Sequence, residues 1–172
     1  MAQRVTRDDP RDDRARSRRW TRSNTIVALG VLGGLLSLWW VRVNIEPSVA
    51  VGVYRLDTVH PPLPRGTLVL LPVPASVQRW KSRWTPLLKP VAAVAGDTVC
   101  VEDAVLRIGN TTYGRVYREA GGYPLPQIQG CLTIEDGEVF VASKEDRSLD
   151  SRYFGPVPMR EVRALVSPLW TR

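Results

Sequence analysis

The 172-residue chain is predicted to be mainly β beyond residue 41. Short apolar runs separated by Pro, Gly and Asp are typical of strands joined by turns. The chain also contains 14 Pro residues, which argue against a helical bundle because Pro interrupts helices. The predicted strands are residues 51–54, 67–71, 91–94, 98–101, 105–108, 138–142 and 162–166.

Two further segments have patterns that predict local structure. The stretch TVCVEDAVLRIGN predicts a hairpin that turns near Glu102 and Asp103. Residues 76–84 predict a helical turn or two, in which Trp80 and Trp84 are four positions apart among basic residues. Two interpretations of this segment stay open. It either contacts lipid headgroups or uses both Trp side chains to cover the sheet.

The charge distribution divides the chain into three parts. The formal net charge is +7, and residues 1–24 contain eight Arg and four Asp. Residues 25–41 contain no charged residue, and residues 42–172 contain no long basic run. The basic excess belongs mainly to the N-terminal tail, so a compact DNA-binding domain is a poor explanation. We predict no nucleic-acid partner.

The uncharged residues 25–41 have the composition of a transmembrane anchor. Seventeen residues give roughly 26 Å of helix at about 1.5 Å per residue, slightly less than a typical hydrocarbon core. A buried core helix and a cleaved signal peptide are the alternatives, but no small-x-small cleavage site follows Val41. The Arg-rich tail predicts a cytoplasmic N-terminus and a single pass through the bacterial inner membrane. Residues 42–172 are then predicted to be periplasmic.

Cys100 and Cys131 both lie in the predicted periplasmic part. An even number of cysteines in an oxidising compartment favours a disulfide over two free thiols. A catalytic cysteine is a weak alternative, because there is no CxxC motif. The one histidine, His60, precedes two prolines and is interpreted as a loop residue.

The residue inventory excludes several kinds of chemistry. A single histidine argues against zinc sites that need two or more, and no glycine-rich phosphate loop is present outside residues 25–41. We therefore predict no metal and no cofactor. A serine nucleophile with a lysine base needs neither a histidine nor a metal ion.

Ser48 is the first serine after the uncharged segment, and Lys89 lies among apolar residues in TPLLKPVAAVAGDTV. Apolar surroundings lower a lysine pKa towards the value that a general base requires. The alternative for Lys89 is a strand-edge lysine that reaches solvent. Lys81 and Lys144 lie among charged residues and are interpreted as solvated.

Three blocks of the sequence resemble the type I signal peptidase family. SVAVGVY, PLLKPVAAVAGDTV and SLDSRYFGPV follow one another in the order of that family, over about residues 40–170. The pattern of Asn44, Ser48, Gly52 and Tyr54 is closer to its conjugative-transfer branch, the TraF-type peptidases. The resemblance implies a signal-peptidase-like β-sheet or barrel catalytic domain.

The resemblance also implies a role for each matched residue. Ser48 would be the nucleophile and Lys89 the general base. Ser148 would orient the lysine, and Asp150 and Arg152 would form a supporting ion pair.

Glu46 departs from the family pattern. Two residues before the nucleophile the family usually has Ser or Thr, whose hydroxyl helps the backbone N–H of Ser48 to bind the oxyanion. A carboxylate cannot donate a hydrogen bond, and its charge opposes the oxyanion. With Glu46 in this oxyanion region, Glu46→Thr or Glu46→Ser is expected to raise the acylation rate. If Glu46 instead points towards solvent or pairs with Arg42 or Arg55, the substitution is expected to change little.

The sequence therefore predicts a membrane-anchored endopeptidase that removes leader sequences from exported preproteins, with a prepilin of a conjugative transfer system as substrate. Its other predicted partners are the lipid bilayer and the transfer or secretion machinery. A general signal peptidase is one alternative. A non-catalytic envelope scaffold is another, which Glu46 supports and the retained Ser48, Lys89 and Ser148 oppose. Whether the enzyme also joins pilin ends stays open.

Overall fold

The Val- and Leu-rich runs form short antiparallel strands, as β-branched and apolar residues favour. The structure, a computed structural model, describes Val27, Ala28, Gly30, Gly33, Gly34 and residues 40–172. In this part the strands are β1 (Val41–Asn44), β2 (Gly52–Asp57), β3 (Leu68–Leu71), β4 (Leu87–Val94), β5 (Thr98–Glu102), β6 (Val105–Ile108), β7 (Thr111–Arg115), β8 (Glu119–Ala120), β9 (Tyr123–Pro124), β10 (Gly130–Thr133), β11 (Glu138–Val141), β12 (Val157–Pro158) and β13 (Ala164–Thr171). The helical elements are α1 (Ser151–Phe154) and the 3-10 turns Ala75–Val77 and Met159–Glu161. The predicted mainly β class is confirmed.

Seven strands form the main sheet, in the order β1-β2-β13-β3-β4-β11-β12. Register shifts interrupt the pairing of β11 with β4 and of β13 with β2, and such bulges bend strands, so the sheet is curled. β4 is an internal strand, with Lys89 opposite Val69 of β3. Lys89 is therefore not at a sheet edge. The core beside β4 includes Leu71, Leu87, Val91, Val139 and Phe140.

The remaining strands form a four-stranded sheet in the order β10-β5-β6-β7 and the small hairpin of β8 and β9. β5 and β6 form the predicted hairpin, with Glu102 opposite Val105. Asp103 and Ala104 occupy the turn with φ of 50° and 58°, the left-handed conformations that a tight two-residue hairpin turn requires. The hairpin prediction is confirmed.

The helix predicted over residues 76–84 is reduced to the 3-10 turn Ala75–Val77. Val77 is fully buried, and its carbonyl accepts the N–H of Trp80, three residues later, at 3.1 Å. An i to i+3 bond belongs to a 3-10 turn rather than to an α-helix. The predicted helical turn is therefore present as a 3-10 turn at the start of the segment.

Cys100 and Cys131 are joined by a disulfide between paired positions of β5 and β10. Their sulfur atoms lie near the carboxylate of Glu102, and this is a group of potential metal ligands among the described residues. Both sulfurs are consumed by the bond between them, so neither supplies a thiolate to a metal ion.

Removal of this disulfide should destabilise the protein. The crosslink closes a loop with a sequence separation of 31, for which loop-closure entropy gives about 3–4 kcal/mol. We expect Cys100→Ser/Cys131→Ser to lower the free energy of unfolding by that amount, measured by urea denaturation of the full chain in detergent. The same loss should appear in the wild type after reduction. Equal stability of the oxidised and reduced wild type would contradict the expectation.

The N-terminal predictions fall largely outside the described residues. This applies to the basic tail, residues 1–24, and to most of the predicted anchor, residues 25–41. Val27, Ala28, Gly30, Gly33 and Gly34 are helical. Within the described residues, no helix has the length and apolar character needed to span a membrane. The anchor stays a prediction.

Candidate active site

Ser48 lies in the loop that joins β1 to β2, and Asn44 organises this loop. The Asn44 side chain is buried at the end of β1. Its Nδ2 donates to the carbonyl oxygens of Glu46 at 2.9 Å and of Val49 and Ala50 at 3.1 Å, and its Oδ1 accepts the N–H of Glu46 at 3.3 Å. One amide group thus satisfies backbone atoms on both sides of Ser48 and fixes the path of the loop.

Three further residues hold the same loop. The buried Tyr54 hydroxyl of β2 donates to the carbonyl of Ala50. Ser143 Oγ, which follows β11, donates to the carbonyl oxygen of Ser48 at 2.6 Å. At Gly52 a Cβ atom would lie 2.1 Å from the Trp170 carbonyl oxygen, so only glycine permits this approach of β2 to β13.

Lys89 reaches Ser48 from β4. Its Nζ lies 2.6 Å from Ser48 Oγ and 3.0 Å from Ser148 Oγ. The lysine is only 1% exposed, so it does not extend to solvent as the alternative interpretation required. Ser148 is also buried. The Lys89 amine therefore contacts two hydroxyl groups, that of Ser48 in the cleft and that of the buried Ser148.

Burial changes the proton affinity of this amine. Desolvation lowers the pKa of Lys89 from 10.5 to about 8, and the charges of Lys81 and Arg152 act in the same direction. The carboxylates of Asp150 and Glu46 oppose this by favouring the ammonium form. At pH 7 about a tenth of such lysines are neutral, against about one in 3,000 at the ordinary pKa. The site therefore contains a usable base near neutral pH.

Asp150 and Arg152 form a fully buried ion pair at α1. Arg152 Nε lies 2.8 Å from Asp150 Oδ1, and both side chains are 0% exposed. The guanidinium also donates to the carbonyl oxygens of Ser143 at 2.6 Å and Arg115 at 2.9 Å. Asp150 accepts the N–H of Ser143 at 3.1 Å and caps α1 through the N–H of Arg152. The pair therefore fixes Ser143, which in turn holds the carbonyl of Ser48.

Ser48, Lys89 and Ser148 line a cleft of about 800 Å³. Trp80 and the residues Glu119, Ala120 and Gly121 of the β8–β9 hairpin also line this cleft. The apolar side chains of the cleft are those of Pro47, Trp80, Ala120, Leu125, Leu149 and Tyr153. Burial raises the pKa of Tyr153, whose hydroxyl oxygen accepts the N–H of Tyr117.

A match to a known protein family covers most of the chain. The family described as "Signal peptidase, peptidase S26" matches residues 18–170. The chain belongs to this signal peptidase family.

The curated relatives of this signal peptidase family member are conjugation proteins. The chain is 27% identical over 158 residues to "Conjugal transfer protein TraF" of Agrobacterium fabrum, covering 83% of this chain and 86% of the relative. It is 28% identical over 176 residues to "Plasmid transfer protein TraF" of Escherichia coli, covering 89% and 98%. A crystal structure of signal peptidase I from Enterococcus faecalis aligns with a TM-score of 0.39 and 22% identity, covering 63% of this chain and 98% of that one.

The residues predicted for a signal peptidase site come together in the structure. Ser48, Lys89 and Ser148 are in direct contact, although the first and last are 100 positions apart in the sequence. Asp150 and Arg152 are paired directly behind them. Cys100 and Cys131 do not line the cleft.

The two tryptophans of residues 76–84 have different environments. Trp80 packs against the core and donates from Nε1 to the carbonyl oxygen of Ala120 at 3.1 Å. Trp84 is 79% exposed, with the guanidinium of Arg83 4.6 Å from its ring centroid. The interpretation that both side chains cover the sheet holds for Trp80 alone.

Glu46 has a partner that the sequence analysis did not name. Its carboxylate forms an ion pair with Lys81, whose side chain is 13% exposed and lines the cleft. The interpretation of Lys81 as solvated is wrong, because the turn after Val77 directs this side chain into the cleft. The expected gain for Glu46→Thr applied to a carboxylate without a cation, and the pairing with Lys81 removes that condition.

Ser143 is the second site residue that the sequence analysis missed. It follows the end of β11, in ASKEDRS, and is buried there. Its Oγ also accepts the N–H of Glu145 at 3.1 Å. The available signal was a small polar residue directly after a buried strand and seven positions before Asp150.

Proposed function

We propose that the protein is a serine endopeptidase of the Ser-Lys type that removes leader sequences from exported proteins, and that its substrate is a prepilin-like subunit of a conjugative transfer system. The observation that supports this best is the 2.6 Å contact between the buried Lys89 amine and Ser48 Oγ in the cleft. A neutral amine at this distance can accept the hydroxyl proton as the oxygen attacks.

The proposed reaction uses Ser48 and Lys89 in two steps. Ser48 Oγ attacks the scissile carbonyl carbon, and Lys89 takes the hydroxyl proton. The ammonium of Lys89 then protonates the leaving amine as the peptide C–N bond breaks, which leaves an acyl-enzyme. In the second step Lys89 takes a proton from water, the hydroxide adds to the acyl carbon, and Ser48 regains its proton as the ester breaks.

The oxyanion needs donors beside Ser48. Its backbone N–H is the donor that the resemblance assigns, and the loop that carries this N–H is fixed by Asn44, Tyr54 and Ser143. A rigid loop keeps the donor in place before the reaction, which is the condition for effective electrostatic stabilisation.

We propose a periplasmic position for residues 42–172 and an anchor in the inner membrane at residues 25–41. The Cys100–Cys131 disulfide supports an oxidising compartment. Exposed apolar side chains support a lipid partner: Ile45 is 80% exposed, Trp84 79% and Trp170 60%. The transfer machinery is the proposed protein partner, since the relatives are conjugation proteins.

Cleavage of a prepilin tests the proposed function. The shallow apolar cleft around Ser48 predicts cleavage after Ala or another small residue. We expect the full chain in detergent to cleave a prepilin from the same transfer system at one site, identified by sequencing the new terminus. Peptides with Lys or Phe before the scissile bond should be cleaved at least about a hundredfold more slowly.

Other outcomes distinguish the alternatives. Equal cleavage of unrelated secretory preproteins would indicate a general signal peptidase. No cleavage of any preprotein, together with no reaction of Ser48 with an acylating serine probe, would indicate a scaffold and contradict the proposal.

A further inference from the structure

The Glu46–Lys81 ion pair joins two segments of the chain that both line the cleft. Glu46 precedes Ser48 by two residues, in the loop between β1 and β2. Lys81 follows Trp80, in the segment after the 3-10 turn Ala75–Val77. The Lys81 side chain is largely buried, whereas Glu46 is 41% exposed.

Residues 79–81 are fixed to the β8–β9 hairpin on their other side. The guanidinium of Arg79 lies 4.3 Å from the ring centroid of Tyr123, and Trp80 donates to the carbonyl of Ala120. These two contacts hold the segment that carries Lys81 against the hairpin. The Lys81 side chain is only 13% exposed where its ammonium group meets Glu46.

A carboxylate at position 46 without this cation would oppose the reaction. Negative charge develops on the carbonyl oxygen beside the N–H of Ser48, and a nearby carboxylate repels that charge. The sequence left this conflict open between a protonated Glu46, a carboxylate that points away, and reduced activity. The ammonium of Lys81 removes it, because the pair has no net charge.

We propose that Lys81 is a positioning residue of the active site, whose ammonium group binds and neutralises Glu46 and so makes a carboxylate beside the nucleophile compatible with oxyanion formation. This inference rests on the proposed peptidase function. It assigns a role to a lysine that the Ser-Lys chemistry itself does not use.

The pair also acts on the general base. The charged groups that influence Lys89 are Glu46 from the β1–β2 loop, Lys81 from the segment after the 3-10 turn Ala75–Val77, and Asp150 and Arg152 from the start of α1. Glu46 raises the pKa of Lys89 and Lys81 lowers it. Loss of either partner alone should therefore shift this pKa, in opposite directions, and loss of both should largely cancel.

Four variants of the full chain test the proposal by their rates. Lys81→Met should lower kcat on the cleaved prepilin peptide at least about tenfold, since it leaves Glu46 without its cation. Lys81→Arg should retain most of the rate because it keeps the charge. Glu46→Gln/Lys81→Met should recover to within about threefold of the wild type. Lys144→Met, which changes an exposed lysine outside the cleft, is the matched control.

The pH dependence provides a readout that a purely structural tether would not change. The acidic limb of kcat/KM should move to higher pH in Lys81→Met and to lower pH in Glu46→Gln. The chain has only three lysines, so their ¹³Cε NMR signals can be assigned with these variants and titrated directly. The Lys89 signal should show the same opposite shifts whether or not a peptide is cleaved.

The outcomes separate this inference from the proposed function. If the wild type cleaves its substrate and Lys81→Met has the same rate and pH profile, the role of Lys81 is overturned and the peptidase function stands. If the double variant is as slow as Lys81→Met, neutralisation of Glu46 is overturned in favour of a simple tether. If no protein cleaves any preprotein, the proposed function fails, and an unchanged Lys89 titration in the variants then overturns the role of Lys81 as well.

Discussion

Ser48→Ala and Lys89→Ala should each abolish prepilin processing, with kcat/KM reduced by at least about 10³. The first change removes the attacking oxygen, and the second removes the group that accepts its proton at 2.6 Å. Because the two residues act as a unit, the double variant should be little slower than either single variant. The measurement is single-turnover cleavage of one prepilin peptide by the full chain in detergent.

Lys144→Ala is the matched control for this experiment, because Lys144 is exposed and does not line the cleft. It should retain the wild-type rate. Full activity of Lys89→Ala would contradict the assignment of the base. If the double variant is slower by the product of the two single effects, the losses are additive in activation free energy. That result would contradict the expectation that Ser48 and Lys89 act as a unit.

The wild-type pH profile follows from the same lysine. Only neutral Lys89 can take the proton, and burial lowers its pKa to about 8. The value of kcat/KM should therefore rise about tenfold per pH unit below pH 8 and level off above it. A base with an ordinary lysine pKa would keep the rate rising to about pH 10.

The proposed Ser48–Lys89 pair could be predicted only in part from single residues. Lys89 is an amine among apolar residues, but the residues alone also allowed a strand-edge lysine, and its assignment as the base came from the resemblance. Ser48 was predicted from its place after the uncharged segment and from the resemblance. The contact between them depends on the curled sheet, which places the β1–β2 loop over the internal strand β4. The distance between Lys89 Nζ and Ser48 Oγ cannot be inferred from the spacing of the two residues in the sequence.

The contacts that fix the cleft could not be predicted from local patterns. Lys81 and Ser143 lie among charged and polar residues, which is the usual composition of an exposed loop. Their burial results from segments distant in the chain, because Trp80, next to Lys81, is held by Ala120, and Ser143 contacts the Ser48 loop. The strands β7 and β10 were missed for a related reason. Their sequences, TTYGR and GCLT, show no clear apolar alternation.

Arg152→Met should cause the largest loss of stability among the substitutions considered. It would leave the carboxylate of Asp150, at 0% exposure, without its cation, and would remove one hydrogen-bond donor from each of the carbonyl groups of Ser143 and Arg115. Loss of one partner of a buried ion pair costs about 3–5 kcal/mol. We expect that decrease in the free energy of unfolding, measured by urea denaturation of the full chain in detergent. Asp150→Asn/Arg152→Met should lose less than the sum of its single changes.

The sequence supplies a matched control for this last experiment. Arg55 and Asp57 are also an Arg–Asp pair two positions apart, with Nε 2.9 Å from Oδ1, but their side chains are 57% and 35% exposed. Arg55→Met should change the free energy of unfolding by no more than about 1 kcal/mol, because solvent screens such pairs. If Arg55→Met and Arg152→Met lower the free energy of unfolding by similar amounts, burial does not determine how much the Asp150–Arg152 pair stabilises the fold. A large loss at Arg152 alone would identify that pair as the support on which Ser143, and through it the Ser48 loop, depends.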